Sequence, residues 1–231
     1  MRAPSDRDLL DAWDRGAAGG SPFRGLALLR LARPAWPEER LAATGLGERD
    51  DALLEMHRGW LGPALDCMAE CPGCGEAIEF AVPVDAVRAA AVDEHPVLEA
   101  DGRTLRLRMP STADAIAAAG QGPGAARREL VRRCLLDQPV ELSDELVEAA
   151  AARLAEADPR ADVRLVLTCP ECRHGWRPAL DVVAYLWAEL EAALQRVLLE
   201  VHRLASAYGW TEAEVLAVPA GRRRFYLEAV G

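Results

Sequence analysis

The sequence of 231 residues contains neither lysine nor asparagine, so arginine supplies every basic side chain apart from four histidines. The absence of lysine excludes a Schiff-base lysine, a catalytic lysine base and the lysine of a phosphate-binding loop. The sequence also lacks a Gly-x-Gly-x-x-Gly run, a nucleophile-elbow serine and a His-Glu-x-x-His motif. No catalytic set emerges from the scattered histidines. We therefore expect a protein that is not an enzyme and has no small-molecule substrate.

Positive charge and long apolar runs are also scarce. Arginines number 27 against 37 acidic residues, which gives a formal net charge of -10. Binding to nucleic acid depends on a positive field, so this balance argues against it. No apolar run approaches the roughly 20 residues of a membrane-spanning helix, and the first residues do not resemble a signal peptide. We expect a cytoplasmic protein without a membrane partner.

Cysteine, by contrast, occurs in a specific pattern. The chain contains two similar segments, Cys71-Pro72-Gly73-Cys74 and Cys169-Pro170-Glu171-Cys172. Each resembles a zinc knuckle, and the two together supply the four ligands that a structural zinc site needs. A redox motif and a disulfide framework are the alternatives, but cytosolic thiols stay reduced and this favours a metal. We predict a structural Zn²⁺ ion held by Cys71, Cys74, Cys169 and Cys172.

Two further residues, Cys67 and His174, lie where they could modify this site. Cys67 is close enough to Cys71 in sequence to replace a ligand, and His174 follows Cys172 closely enough to add one. The plainer interpretations are that Cys67 and Cys134 are small buried apolar residues and that His174 packs against Trp176. We favour these plainer interpretations, because four cysteines already complete a tetrahedral site.

Hydrophobic patterning predicts a helix-rich α+β fold in three parts. Residues 1–62 read as N-terminal helices. Residues 63–180 contain a split zinc ribbon, whose halves are separated by a helical insertion at about 110–158. Residues 181–231 read as one long helix followed by two short helices. The apolar stripe of the long helix exceeds what a ribbon can cover, so we expect part of it to pack on other helices or on another chain.

Period-2 alternation predicts strands on both sides of the first cysteine pair, a strand near Leu105–Met109 and another at 160–168. If the four cysteines share one ion, the strands next to the two pairs should form one small antiparallel sheet. Helix starts are predicted from capping residues at Ser5, Ser111, Ser143, Asp181 and Thr211.

The C-terminal part holds most of the unusual side chains. Trp187, Tyr208, Trp210 and Tyr226 cluster there in a chain with only 5% aromatic residues. Such clustering indicates either a packed corner or an interface, and we favour the packed corner, because aromatic burial serves both. These four residues are also our candidate interaction residues. The run Arg222–Arg224 is either a phosphate-binding patch or a solvated helix face. We favour the solvated face, because the rest of the chain supplies no positive field.

Four C-terminal runs resemble those of a known family: Asp181–Glu189, Glu200–Ala205, Ala207–Glu212 and Arg222–Glu228. Together they resemble the C-terminal signature of the T4-type phage baseplate hub assembly family. Relatives of that family occur in contractile tails and in phage-tail-like injection systems.

The stretch Arg106–Asp114 and both cysteine pairs also resemble the longer, zinc-ribbon-bearing relatives from injection-system clusters. The resemblance spans about residues 21–231. It implies a non-enzymatic assembly factor or structural component of a baseplate or spike hub, with baseplate or spike-hub proteins as partners. The protein would act in the cytoplasm or on the particle.

Two other functions compete with this expectation. A zinc-ribbon adaptor for nucleic acid or the transcription machinery would use the Arg222–Arg224 run. A metalloenzyme would need an open position on the zinc ion, which four thiolates do not leave.

Overall fold

The computed structural model describes residues 4–88, 92–100, 102–137 and 141–230. The chain begins with a layer of four helices: α1 (Asp6–Gly16), α2 (Ser21–Ala32), α3 (Glu38–Ala43) and α4 (Leu46–Trp60). Ser5 caps α1 as predicted, because its hydroxyl accepts from the Asp8 backbone N–H while the Asp8 carboxylate accepts from the Ser5 N–H at 2.8 Å. The predicted helical character of the N-terminal segment is confirmed.

The first hairpin follows directly from α4. It pairs β1 (Ala64–Glu70) with β2 (Ala77–Pro83) in antiparallel register, and α5 (Val84–Arg88) continues from β2. Leu65 and Val84 are completely buried against the N-terminal helices. The Asp66 backbone N–H donates to the Tyr185 hydroxyl at 3.1 Å. The hairpin is therefore fixed at its base, and the turn that carries Cys71 and Cys74 lies at its tip.

A second hydrophobic cluster lies between the two cysteine pairs. Its elements are β3 (Val97–Ala100), β4 (Arg103–Arg106), α7 (Pro123–Cys134) and α8 (Asp144–Ala157), and α6 (Thr112–Ala117) lies between β4 and α7. The cluster comprises Leu105, Leu107, Val131, Cys134, Leu135, Leu146, Val147, Ala150 and Leu154. We call these residues the second core. Strands β3 and β4 precede the predicted insertion in the sequence, yet both belong with the second core. Leu105 of β4 is part of this core, and Leu98 and Ala100 of β3 pack against it.

The hairpin that carries Cys169 and Cys172, called the second hairpin below, is shorter than the strand prediction implied. A 3-10 turn, Pro159–Ala161, replaces the start of the expected strand, and only β5 (Leu167–Thr168) and β6 (Gly175–Trp176) pair regularly. Outside them the pairing continues as single hydrogen bonds, such as that from the Leu165 N–H to the Pro178 carbonyl at 3.0 Å. Pro178 has no N–H to return, so the regular ladder ends there.

The prediction that the strands beside both cysteine pairs share one sheet is wrong. Within the described residues, β1–β2, β3–β4 and β5–β6 form three separate two-stranded antiparallel sheets. The two cysteine-bearing hairpins approach each other at their turns instead of along their edges. The coarser prediction, a helix-rich α+β chain with small antiparallel sheets, is confirmed.

The C-terminal part consists of α9 (Val182–Tyr208), α10 (Glu212–Ala217) and α11 (Ala220–Val230). Asp181 caps α9 as predicted by accepting the Ala184 N–H at 2.9 Å. The 27 residues of α9 span about 40 Å at 1.5 Å per residue. Its first half packs on α1, α2 and α4, and its second half contacts α10 and α11. Among the described residues, no helix has the length and apolar character that crossing a membrane would require.

Trp187 lies in the main core, as the favoured interpretation of the C-terminal aromatic residues predicted, and not at a surface open to a partner. Its side chain is 1% exposed and its indole N–H donates to a Glu191 carboxylate oxygen at 2.7 Å. The Arg24 guanidinium lies 5.1 Å from the ring centroid. A Cβ atom at Gly16 would come within 2.6 Å of the same ring. The indole therefore fills the space between α1, α2 and α9.

Candidate metal centre

The four cysteines of the two pairs come together. Their Sγ atoms all lie within 4.8 Å of one another. The Cys71–Cys172 and Cys74–Cys169 Sγ pairs are 3.6 and 3.7 Å apart. A tetrahedron with Zn–S bonds of about 2.3 Å has S–S edges of about 3.8 Å. The observed distances are well above the S–S bond length of about 2.05 Å, so the sulfurs are placed as in a metal site and not as in disulfides.

The two cysteine turns have the same backbone structure. In each, the N–H of the first cysteine donates to the carbonyl of the residue five positions later, Glu76 or His174, at 2.8 and 2.9 Å. The carbonyl of the first cysteine accepts the N–H four positions later, from Gly75 or Arg173, at 2.8 and 3.0 Å. We call each of these turns a knuckle. Their equivalence means that each presents its two thiols in the same geometry.

The knuckles meet crosswise. Cys71 and Cys169, the first of each pair, are buried, whereas Cys74 and Cys172 are exposed. Each short sulfur contact joins a buried thiol to the exposed thiol of the other knuckle. The two knuckles are also packed together, because a Cβ added at Gly73 would lie 3.1 Å from the His174 side chain. A bound ion would therefore lie at the rim of the molecule with two ligands facing inward.

The close approach of the four thiols shifts their pKa values in different directions. The hydrogen bond from the backbone of Cys172 is the largest of the effects that lower the pKa of Cys169 to about 7. For Cys74 the backbone hydrogen bond from Glu76 lowers the pKa, but the Cys172 thiol, desolvation and further thiols outweigh it and raise the pKa to about 12. Metal ions bind thiolates, so an ion at this site would displace protons and bind more weakly in acid.

The neighbouring candidates do not join the cluster. Cys67 lies in β1 opposite Phe80 and packs against the main core, and Cys134 is completely buried in the second core. Burial raises the pKa of Cys134 to about 12. His174 stacks on Trp176 with ring centroids 6.3 Å apart, as the plainer interpretation predicted. Among the described residues, the group that could hold a metal ion is the predicted set of four cysteines.

Three of the candidate interaction residues form an aromatic corner at the end of α9. Tyr208 stacks on Trp210 at a centroid distance of 5.0 Å, and the Tyr226 ring stands edge-on to Trp210 at 5.3 Å. Gly209 turns the chain between them with a φ of +70°, a left-handed conformation that glycine adopts without a steric cost. We call Tyr208, Trp210 and Tyr226 the aromatic corner. It joins α9 to α11.

The interpretation of Arg222–Arg224 as a solvated face is wrong for the central residue. Arg223 is 4% exposed, and it donates to Asp6, to Glu200 at 3.0 Å and to the Val218 carbonyl at 2.9 Å. Sequence patterns could not reveal this, because Asp6 lies 217 positions away. An adaptor for nucleic acid would lose the middle arginine of its proposed patch, so the structure does not favour that alternative.

Together, the fold and the cysteine cluster define a helix-rich α+β protein with a cysteine group compatible with a metal site. Comparisons with protein-family models, with curated proteins and with solved structures found no match to this chain.

Proposed function

We propose that the protein binds one structural Zn²⁺ ion through Cys71, Cys74, Cys169 and Cys172. The sulfur–sulfur distances and the two equivalent knuckles support a tetrahedral four-thiolate site. Four sulfur ligands in this arrangement suit zinc or an iron–sulfur centre, and knuckles of this kind suit zinc. A complete set of four protein ligands leaves no open position, so the ion would hold structure and would not catalyse a reaction.

Metal analysis and a cobalt-substituted sample test this part of the proposal. We expect one zinc per chain and the intense sulfur-to-cobalt charge-transfer bands of four thiolates. Cys169→Ser should weaken binding strongly, whereas Cys67→Ser should not. Cobalt spectra that show an open, water-bearing site would contradict a structural role and would favour a metalloenzyme.

We further propose a non-enzymatic assembly factor or structural component of the baseplate or spike hub of a phage-like contractile tail or injection system. It would act through protein contacts, in the cytoplasm during assembly or on the particle. One observation carries this proposal. The residues that resemble the family signature, from Asp181 through Glu228, fold into one unit that includes α9, the aromatic corner and α11.

Co-purification tests the assembly role. Tagged protein isolated from particle-producing cells should bring down baseplate or spike-hub proteins, and a deletion strain should fail to build normal particles. Trp210→Ala, in the aromatic corner, should reduce co-purification. Val166→Ala, at a side chain that is 75% exposed on the second hairpin, is the matched control and should not. A deletion strain that builds normal particles would refute the assembly role.

A further inference from the structure

Helix α11 presents an apolar stripe between two basic side chains. Gly221, Phe225 and Ala229 recur at intervals of four, which places them along one side of the helix, and all three are exposed. Phe225 is 68% exposed. Arg222 and Arg224 lie on either side of this stripe and are exposed as well. We call these five residues the α11 face.

The opposite side of α11 fixes the direction of this face. Arg223 is buried and binds both Asp6 and Glu200, and the ring of Tyr226 packs edge-on to Trp210. The backbone N–H groups of Arg222 and Arg223 both donate to the Pro219 carbonyl, which anchors the first turn. Contacts to α9, α1 and the aromatic corner therefore prevent α11 from rotating Phe225 inward. The exposed ring is held in place by the fold.

The charges of the face have no partner within the described chain. Neither Arg222 nor Arg224 lies within ion-pair distance of a described carboxylate. Glu228, one turn after Arg224, is exposed and forms no ion pair with it in the described structure. These two guanidinium groups flank an apolar stripe on a chain whose formal net charge is -10. Because the exposed Glu228 lies seven positions after Gly221, on the same side of the helix, the surface around the stripe carries two positive charges and one negative charge.

We propose that the α11 face binds an acidic amphipathic helix of a partner protein. Apolar side chains of that helix would cover Phe225 and lie over Gly221 and Ala229, where the small side chains allow close approach. Its carboxylates would pair with Arg222 and Arg224, whose planar guanidinium groups bind carboxylates through two hydrogen bonds. This inference rests on the proposed role in protein contacts and names the surface and the chemistry of the partner.

Charge excludes two other occupants in favour of this one. Nucleic acid needs an extended positive field, and here two free arginines stand on a strongly acidic chain. A symmetric pair of this chain would place the same face against itself, which brings four arginines against only two glutamates. An acidic helix meets both the apolar and the charged requirement.

Peptide binding to the full chain tests the proposal. The probe is a helical peptide of about 20 residues with leucine and alanine along one side and glutamate on both flanks. A twin peptide carries lysine in place of every glutamate. We expect the glutamate peptide to bind and the lysine twin not to bind. Phe225→Ala, and separately Arg222→Glu with Arg224→Glu, should each weaken binding about tenfold or more.

Matched variants control for exposure and charge. Met68→Ala removes an apolar side chain that is 73% exposed on the first hairpin, and Arg103→Glu with Arg177→Glu repeats the charge change at exposed arginines elsewhere. Both controls should bind the glutamate peptide as the unmodified chain does. Three results would overturn the proposal. The lysine twin could bind as tightly as the glutamate peptide, the glutamate peptide could fail to bind, or the control variants could weaken binding as much as the variants of the α11 face.

Two further measurements exclude the other occupants. The first measurement is binding of duplex DNA. If the unmodified chain binds DNA and the variant with Arg222→Glu and Arg224→Glu does not, the proposal is overturned. A dimer in sedimentation that Phe225→Ala abolishes would also overturn it. Failure of the peptide test with intact baseplate co-purification refutes the α11 face alone. Peptide binding without co-purification refutes the baseplate role alone.

Discussion

At the scale of single residues, the equivalence of the two knuckles exposes one difference. Gly75 and Arg173 occupy the same position, and both have a positive φ, +78° and +63°. Glycine adopts this left-handed conformation readily, whereas a residue with a Cβ pays about 1–2 kcal/mol for it. Among the described residues, Arg173 is the non-glycine residue with a positive φ. The second knuckle is therefore the more strained of the two.

Gly75→Ala should reproduce this strain in the first knuckle. An added Cβ meets only the Glu70 carboxylate at 3.9 Å, so the cost comes from the backbone and not from a collision. We expect a loss of about 1 kcal/mol in the free energy of unfolding of the zinc-loaded protein, measured with urea. Gly124→Ala, at an open helical position in α7, should instead stabilise by up to about 1 kcal/mol. Equal effects of the two variants would contradict the assignment of strain to the knuckle.

Asp114 is the residue whose charge contributes most visibly to the fold. It is 3% exposed and accepts hydrogen bonds from Arg108 at 2.6 and 3.0 Å and from the Ser111 N–H and hydroxyl at 2.9 and 2.7 Å. Burial alone would raise the pKa of Asp114, but these hydrogen bonds outweigh it and hold the pKa well below its usual range. The carboxylate thereby anchors α6 to the end of β4.

The lowered pKa of Asp114 predicts an acid-sensitive contribution to stability. A group with a depressed folded-state pKa stabilises the fold above its unfolded pKa of about 3.9, and this stability is lost as the pH falls toward the folded value. Asp114→Asn should cost about 2 kcal/mol at neutral pH and flatten the loss of stability below about pH 4. Glu214→Gln, in the exposed capping box of α10, should change the acid limb far less. Urea melts from pH 2 to pH 7 measure both, and identical acid limbs in all three proteins would count against this prediction.

At the scale of elements, local chemistry in the sequence predicted the helices better than the strands. The caps at Ser5, Ser111, Ser143, Asp181 and Thr211 all accept the expected backbone N–H. A cap depends on residues three positions apart, so the sequence contains the whole interaction.

Strand length, sheet membership and burial depend on distant partners. The expected strand at 160–168 is reduced because the chain turns at Pro159 and Pro178 breaks the opposing ladder. The clustering of the four cysteines was predictable because their spacing repeats, but the separation of the two hairpins into different sheets was not. Arg223 was predicted as solvated because its acidic partners lie outside its own helix.

The second core should loosen without loss of metal. Leu146→Ala removes a side chain that is 5% exposed and should cost about 2–5 kcal/mol within this cluster. Cys134, completely buried in the same cluster, reports its opening, because burial raises the pKa of the thiol to about 12 and protects it. We expect Leu146→Ala to accelerate alkylation of Cys134 while zinc content stays unchanged. Val166→Ala changes an exposed side chain on the second hairpin and should leave the alkylation rate of Cys134 unchanged. If zinc is lost at the same rate as Cys134 is alkylated, the two regions do not have separate stability.

At the scale of the molecule, a bound ion would join the two hairpins that the backbone leaves in separate sheets. The first hairpin is also held by Leu65 in the main core, and the second by Val163. Both bases are thus secured by apolar packing, and the turns approach each other at the four cysteines and where Gly73 lies close to the His174 side chain. A bound ion and the main core would therefore hold opposite ends of the same hairpins.

Removal of zinc should loosen the knuckles before the helices. Binding of structural zinc is worth roughly 10–16 kcal/mol in zinc-finger peptides, so chelation should remove a large stabilising contribution from one end of the hairpins. We expect faster amide exchange at 71–76 and 169–174, with α1, α2, α4 and the first half of α9 still protected. Cys169→Ser should reproduce this pattern and Cys67→Ser should not. An unchanged exchange pattern and melting curve after chelation would refute a structural ion.

The distance along the chain between the knuckles sets an order of events during synthesis. Cys74 and Cys169 are 95 residues apart. A ribosome that adds about 5–20 residues per second needs about 5–20 s to pass from one to the other. Throughout that interval the nascent polypeptide would offer the proposed ion only two of its four ligands. Tight binding would therefore be a late step, and a chain truncated before Cys172 would lack the fourth ligand.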